Sequence, residues 1–434
     1  MSSSRKFVEF GWVSSLKSLV ILLLAALSLI ACSRKPLDAV GIWRGFIKNP
    51  SGEAVAFTLE VKKEGNLLVG SLVNGDERTT STSGSFDGNT LKLAFDFYDA
   101  QLTAQIENDE LSGVFERQWQ KKTLQKELSA TRGERMVLAR PPAEKRRGIG
   151  GEWILQVGEP PQQRFWRAAF RQQGSEVRGT IIPVSGDWGE LSGTFEKGEL
   201  ILNRFDGINS RVFKARLTAE GKLDGFVDLG LFDPKRKVIA ERLDKRNKAN
   251  ISALPDPSNY TKMSNSAEPL RFNFPDLEGH LVASTDGRFR NKVVVVSITG
   301  SWCPNCHEEA PVLQDYYNRY REQGLEVVAL AFEYTGDSER DREQLKIFTR
   351  RHNITYPMLL AGSTEEGEMQ RKLPQLVNFG AYPTTIFIGR DGLVKRIHAG
   401  FEGKATGERY TKLKNEYENL IKELLEGRET DLTQ

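Results

Sequence analysis

Residues 293–298, Val-Val-Val-Val-Ser-Ile, constrain the fold more than any other stretch. Six residues are too few for a buried helix, and β-branched side chains crowd a helix while they fit a pleated strand. An alternating strand leaves one face for water. A run without alternation needs cover on both faces, as inside an α/β sheet. Residues 325–332 repeat the pattern. Between the two runs, 304–323 reads as a helix, with Ala310, Leu313, Tyr317 and Tyr320 at helix-face spacing. Residues 339–351 form a charged amphipathic helix, 385–388 and 394–398 flank the turn Gly389-Arg390-Asp391-Gly392, and 406–426 form a last helix. The predicted order is βαβ, then α, then ββα.

The first run leads into Trp302-Cys303-Pro304-Asn305-Cys306. A cysteine at a helix N-terminus faces unpaired backbone N–H groups and the positive end of the dipole, so its thiolate is stabilised. The second cysteine lies about one turn on, on the same face. Such a pair can attack a disulfide, hold a mixed disulfide and release it by internal attack. Four histidines and three cysteines offer no second pair at zinc spacing.

The pattern W-C-x-x-C-x-x-E-x-P, met by Trp302, Cys303, Cys306, Glu309 and Pro311, resembles the TlpA/ResA group of exported thiol-disulfide oxidoreductases, which have the thioredoxin fold. Tyr382-Pro383-Thr384-Thr385 is similar to the cis-proline loop of that fold. The likeness covers about 268–427 and includes a β-hairpin ahead of the core, at 271–285. It implies that Cys303 attacks and Cys306 resolves. It also implies that Glu309 tunes the cysteines or shuttles protons, while Trp302, Tyr382 and Pro383 border the substrate. No metal or organic cofactor is implied. The partners implied are protein disulfides and an upstream thiol donor. Ser297 stands where thioredoxin carries a buried Asp, so proton handling shifts toward Glu309 or water. His307 reads as a surface residue of the first helical turn, and His280, His352 and His398 as ordinary structural or exposed residues. A peroxiredoxin would need Thr or Ser where Gly300 stands, which leaves at most a weak thiol peroxidase activity.

The preceding residues follow another pattern. At 55–61 and 91–97 apolar side chains alternate with polar or small ones, and Asn74-Gly75, Asp87-Gly88 and Asp206-Gly207 supply turns. Two copies are expected, 37–131 and 150–243, each an antiparallel barrel or sandwich. Trp43 matches Trp153, Ser83-Gly84-Ser85-Phe86 matches Ser192-Gly193-Thr194-Phe195, and Phe95-Asp96 matches Phe205-Asp206. Neither copy holds His or Cys. Trp43, Trp119, Trp153, Trp166 and Trp188 read as core and rim packing, with a ligand cup as the alternative. Polar stretches at 132–149 and 244–268 read as linkers. The fold class expected is therefore two all-β antiparallel domains followed by an α/β thioredoxin fold at 269–427.

An uncharged apolar run of 12 residues, 19–30, follows an N-terminal region with Arg5, Lys6 and Lys17. It is short for a membrane span, which takes about 20 residues, and reads as the core of an export signal over 1–31. It ends Leu29-Ile30-Ala31-Cys32, which resembles a bacterial lipobox with Cys32 as the acylated residue. That implies a lipid-anchored protein of the cell envelope facing the periplasm. Ser33, where an inner-membrane retention signal places Asp, favours the outer membrane. The formal charge is only +3, and much of that sits in the signal, which argues against nucleic acid as a partner. The remaining alternative is a ligand- or partner-binding lipoprotein in which the redox domain is a switch.

Overall fold

The computed structural model describes residues 38–119, 122–133, 148–230, 235–243 and 251–427. Cys32 and the expected export signal over 1–31 lie outside them. Three bodies of structure follow one another within 39–434, a single compact unit.

The first is a nine-stranded antiparallel sheet: β1 (Gly41–Lys48), β2 (Ala54–Glu64), β3 (Leu67–Asn74), β4 (Glu77–Thr80), β5 (Ser83–Asp87), β6 (Thr90–Phe95), β7 (Ala100–Glu107), β8 (Glu110–Trp119) and β9 (Lys122–Arg132). Its order is β4-β3-β2-β1-β9-β8-β7-β6-β5. The second is a closed up-and-down barrel: β10 (Gly151–Val157), β11 (Arg164–Gln173), β12 (Glu176–Ile182), β13 (Leu191–Glu196), β14 (Glu199–Phe205), β15 (Ser210–Leu217), β16 (Leu223–Asp228) and β17 (Arg236–Arg242).

The two share one plan. Trp43 pairs with Arg132 across β1 and β9, and Trp153 with Arg242 across β10 and β17. Each indole donates to the carbonyl four residues earlier, Ala39 at 2.9 Å and Ile149 at 2.8 Å. Each ring carries the paired guanidinium over its face, at 4.3 and 4.6 Å. They differ at one place. In the barrel, β12 pairs directly with β13 and 183–190 loops out. In the first sheet β4 occupies that edge of β3, so the ladder does not close. The open sheet is filled instead by its neighbour: Phe205, Ile208 and Val212 belong to its core cluster. The barrel expectation thus holds in full for the second copy and as a curled open sheet for the first.

The third body carries a two-stranded ribbon, β18 (Lys262–Met263) with β24 (Leu376–Val377), and a hairpin, β19 (Asn273–Pro275) with β20 (Leu281–Ala283). Its main sheet has the order β23-β22-β21-β25-β26. The strands are β21 (Val293–Thr299), β22 (Leu325–Glu333), β23 (Met358–Ser363), β25 (Thr384–Ile388) and β26 (Val394–Ala399). The first three are mutually parallel, and β25 runs antiparallel to both of its neighbours, β21 and β26. The helices are α1 (Pro257–Tyr260), α2 (Pro304–Tyr320), α3 (Ser338–Arg351), α4 (Glu368–Lys372) and α5 (Glu408–Leu425). Val293 and Val295 pack into the α2, α3 and α5 layer, whereas Val294, Val296 and Ile298 pack against the hairpin side. That two-sided burial explains the unbroken apolar run.

Two expectations are corrected. The order βαβ, α, ββα lacked β23, whose sequence Met-Leu-Leu-Ala-Gly-Ser carries no β-branched side chain. And the second polar stretch is not all linker: α1 is capped by Asp256, Thr261 is buried, and Lys262 pairs with Val377. Composition does not register a two-residue strand whose partner is more than a hundred residues away.

Candidate active site

Strand β21 ends at Thr299, and the chain turns through Gly300 and Ser301 into α2. Gly300 is required by close approach, because a Cβ there would lie 2.4 Å from Trp302 Nε1 and 2.9 Å from Phe332 O. The indole of Trp302 donates to that same carbonyl at 2.9 Å. Cys303 is the N-cap of α2, and its Sγ accepts from the backbone N–H of Cys306 at 3.2 Å. Cys303 and Cys306 are bonded to each other, with Cα atoms 5.2 Å apart. The Tyr382–Pro383 peptide is cis, and Cys303 Sγ lies 3.4 Å from the carbonyl oxygen of Tyr382. Trp302 packs edge-on against Tyr382, centroids 5.2 Å apart. The structure thus brings Trp302, Cys303, Cys306, Tyr382 and Pro383 together.

Glu309 faces inward, not to solvent, and is 1% exposed. Ser297 donates to its Oε2 at 2.7 Å and Thr385 donates to Oε1. Burial pushes its carboxyl up to about 7, against the lowering pull of those two hydroxyls. Ser297 therefore holds in place a carboxyl supplied by the helix, on the strand position where thioredoxin would carry its own.

Sequence reasoning missed a second buried carboxyl. Glu333, at the end of β22, accepts from the backbone N–H and the hydroxyl of Ser301, both at 2.7 Å, and burial raises it to about 7. The available signal was an acid directly after the apolar run 327–332. His307 is also corrected. It is no surface residue: its ring contacts Phe97, Tyr98 and Phe348. Nε2 lies 2.7 Å from Ser301 O and Nδ1 lies 2.7 Å from His352 Nε2. A carbonyl only accepts, so Nε2 carries the proton and Nδ1 accepts from His352. Burial first, then His352, hold His307 well below the usual histidine range. It is neutral and ties the active-site turn to α3.

Both β bodies reach this site. Trp119 of β8 stacks on Tyr334 at 5.2 Å and meets Trp302 edge-on at 6.2 Å. The 183–190 loop arrives from the barrel: Gly186 bridges to Phe401, Asn305 Nδ2 donates to Ser185 O at 3.1 Å, and Gly403 N donates to Asp187 Oδ1 at 2.5 Å. Together they enclose a cavity of about 260 Å³ bordered by Cys303, Trp302, Tyr382, Arg117, Trp188 and Arg211. It adjoins a wider cleft of about 730 Å³, sharing Ser185, Trp188, Asn209, Arg211 and Gly380 with it. Cys303 is only 4% exposed beneath this roof. Of the tryptophans, Trp43 and Trp153 are core, whereas Trp119 and Trp188 line the cavity. Among the described residues no group of three His, Cys, Asp or Glu side chains is placed to hold a metal, and no helix is long and apolar enough to cross a membrane.

A family model described as the AhpC/TSA family matches residues 267–397. The thiol-disulfide oxidoreductase ResA of Geobacillus kaustophilus is 30% identical over 139 residues, spanning 32% of this chain and 71% of the relative. A ResA of Bacillus cereus is 28% identical over 149 residues, 34% of this chain and 78% of the relative. Among solved structures, a thiol:disulfide interchange protein of Chlorobium tepidum aligns at 18% identity and a TM-score of 0.28, over 37% of this chain and 99% of the other. With a tryptophan-flanked cysteine pair capping a helix opposite a cis-proline, and relatives matched over most of their length, this chain belongs to the ResA-type thiol-disulfide oxidoreductases.

Proposed function

We propose that the protein is exported, is anchored at a membrane by lipid on Cys32, and reduces protein disulfides in the periplasm through Cys303 and Cys306. The single observation that carries the reading is Cys303 at the N-cap of α2 with its sulfur on the Cys306 N–H. In the reduced protein that N–H and the helix dipole stabilise a Cys303 thiolate. The thiolate attacks a substrate sulfur, and a mixed disulfide forms as the substrate S–S bond breaks. Cys306 then attacks Cys303 Sγ, leaving the oxidised pair and two substrate thiols. Glu309, raised by burial to about 7, is partly protonated at neutral pH and can give or take the proton of Cys306 one turn before it. The Tyr382 carbonyl and Pro383 border the groove in which the substrate strand sits. A thiol donor upstream restores the dithiol. The N-terminal signal and Ser33 support an envelope location, with the outer membrane as the proposed place of anchoring.

A redox titration of the pair against glutathione tests the direction. A potential near that of thioredoxin supports a reductase, whereas a strongly oxidising one reverses the assignment. Cys306→Ser should accumulate partners as mixed disulfides through Cys303. Cys303→Ser should accumulate none, and full activity in that variant would sink the dithiol mechanism.

A further inference from the structure

We infer that the cavity over Cys303 selects disulfides bearing a carboxylate near the attacked sulfur, and that Arg117 binds that carboxylate. The inference deepens the reading of Cys303 and Cys306 as the reacting pair and rests on it.

Arg117 breaks the inward pattern of β8. Leu111 and Phe115 fill the concave face of the sheet, and Arg117 follows them at the same period, 5% exposed. Its guanidinium lies over the Trp119 ring at 4.9 Å. Nη1 and Nη2 have no hydrogen-bond partner among the described residues. A buried cation without a partner is costly, and native interiors rarely leave one. The carboxylate whose charge acts on it does not answer it. Asp206 is occupied, accepting from Ile208 N at 3.0 Å, Asn209 N at 2.7 Å and Arg204 Nε at 3.2 Å. Glu308, which also borders the cavity, accepts from Lys404 N at 2.8 Å. A second guanidinium, Arg211, lies over Trp188 at 4.7 Å and borders the same cavity. The cavity therefore sets guanidinium groups among aromatic rings beside Cys303.

A guanidinium stacked on an indole keeps its edge for in-plane donation. The planar, two-oxygen acceptor that fits this edge is a carboxylate. Trp119, Trp302 and Tyr382 supply apolar walls for the methylenes between that carboxylate and the sulfur. The volume, about 260 Å³, lies just under the common range for small-molecule sites, about 300–1,000 Å³. It accepts one arm of a disulfide, not a folded surface. The electron count is that of ordinary exchange. A Cys303–substrate bond forms, the substrate S–S bond breaks, and the leaving thiolate takes a proton. Cys306 then displaces the second thiol.

The test uses the full chain, reduced beforehand, in single-turnover reactions followed by tryptophan fluorescence. Three disulfides on one skeleton are compared: 3,3′-dithiodipropionate, bis(2-hydroxyethyl) disulfide and cystamine. Each rate is normalised to the same compound's reaction with dithiothreitol. The anion should lead the neutral compound by about 10-fold or more, the cation should trail, and R117Q should erase most of that ratio. R117K, keeping the charge without the fork, should retain part of it. Paired peptide disulfides with Glu or Gln beside the cysteine form a second arm. A Glu preference there assigns the carboxylate to a protein substrate, and a preference confined to the small compounds assigns it to a low-molecular-weight disulfide. Equal normalised rates in both arms overturn carboxylate recognition, and the wild-type ratio decides this even if R117Q does not fold. No reaction with any of the three compounds overturns the assignment of Cys303 instead.

Discussion

Glu309 shows how one side chain can carry both pH dependence and chemistry. Burial raises its carboxyl from 4.5 to about 7. A raised carboxyl favours the protonated folded state, so its contribution is whole below about pH 4.5 and is lost as pH rises through about 7. The loss by pH 8 is on the order of 3 kcal/mol. Glu309→Gln mimics the protonated form, accepting from Thr385 and donating to Ser297. Urea denaturation should therefore find the variant similar to wild type at pH 5 and more stable at pH 8, by up to that amount. Parallel stability curves would show that Glu309 is not held protonated. In single-turnover reduction the same variant, unable to exchange a proton, should slow release of the mixed disulfide without slowing its formation.

At the scale of elements, the Trp43–Arg132 and Trp153–Arg242 pairs close the two β bodies by the same device. In each, the last strand returns beside the first, its arginine covers the indole, and the indole ties down the residues leading into the first strand. Trp43→Phe and Trp153→Phe each remove a buried N–H···O bond and weaken a cation–π contact. Each should cost about 1–3 kcal/mol in chemical denaturation. The two tryptophans sit in separate core clusters, so the losses in the double variant should add within about 0.5 kcal/mol. A large cost at one site with none at the other would argue that the two bodies do not share a closing mechanism. Where the copies diverge, the barrel uses 183–190 to reach the active site, and the first sheet uses the same place for β4.

For the whole molecule, two acids lie at the contact between the barrel loop and the redox domain. Asp187 accepts from Gly403 N across it, whereas Glu308 accepts from Lys404 N on the redox side. Burial raises both. Glu77 adds repulsion to each, Asp187 adds it to Glu308, and Arg204 opposes it. Raised acids favour contact while protonated, so the contact should be firmest below the ordinary carboxylate range and weaken as pH climbs through the raised values. Hydrogen exchange across 183–190 and 400–404, corrected for intrinsic rates, should accelerate between pH 5 and pH 8. Asp187→Asn should blunt that acceleration. An unchanged profile in the variant would assign it elsewhere.

The amino-acid sequence by itself determined the α/β sheet, the cysteine pair on a helix tip, the proline loop and two alternating β segments. These are set by local pattern: periodicity decides which faces are apolar, and the Cys-x-x-Cys spacing brings both sulfurs to one turn whatever lies around them. Only the tertiary structure decided that the first sheet stays open, that Glu333 and His307 are enclosed, and that Arg117 and Trp188 border the same cavity as Cys303. Each of those depends on residues distant along the chain, such as Phe205 filling the core of another body or an acid meeting a serine across two strands. Neither periodicity nor composition contains the distance between such groups, because burial and charge pairing exist only once the three bodies are packed together.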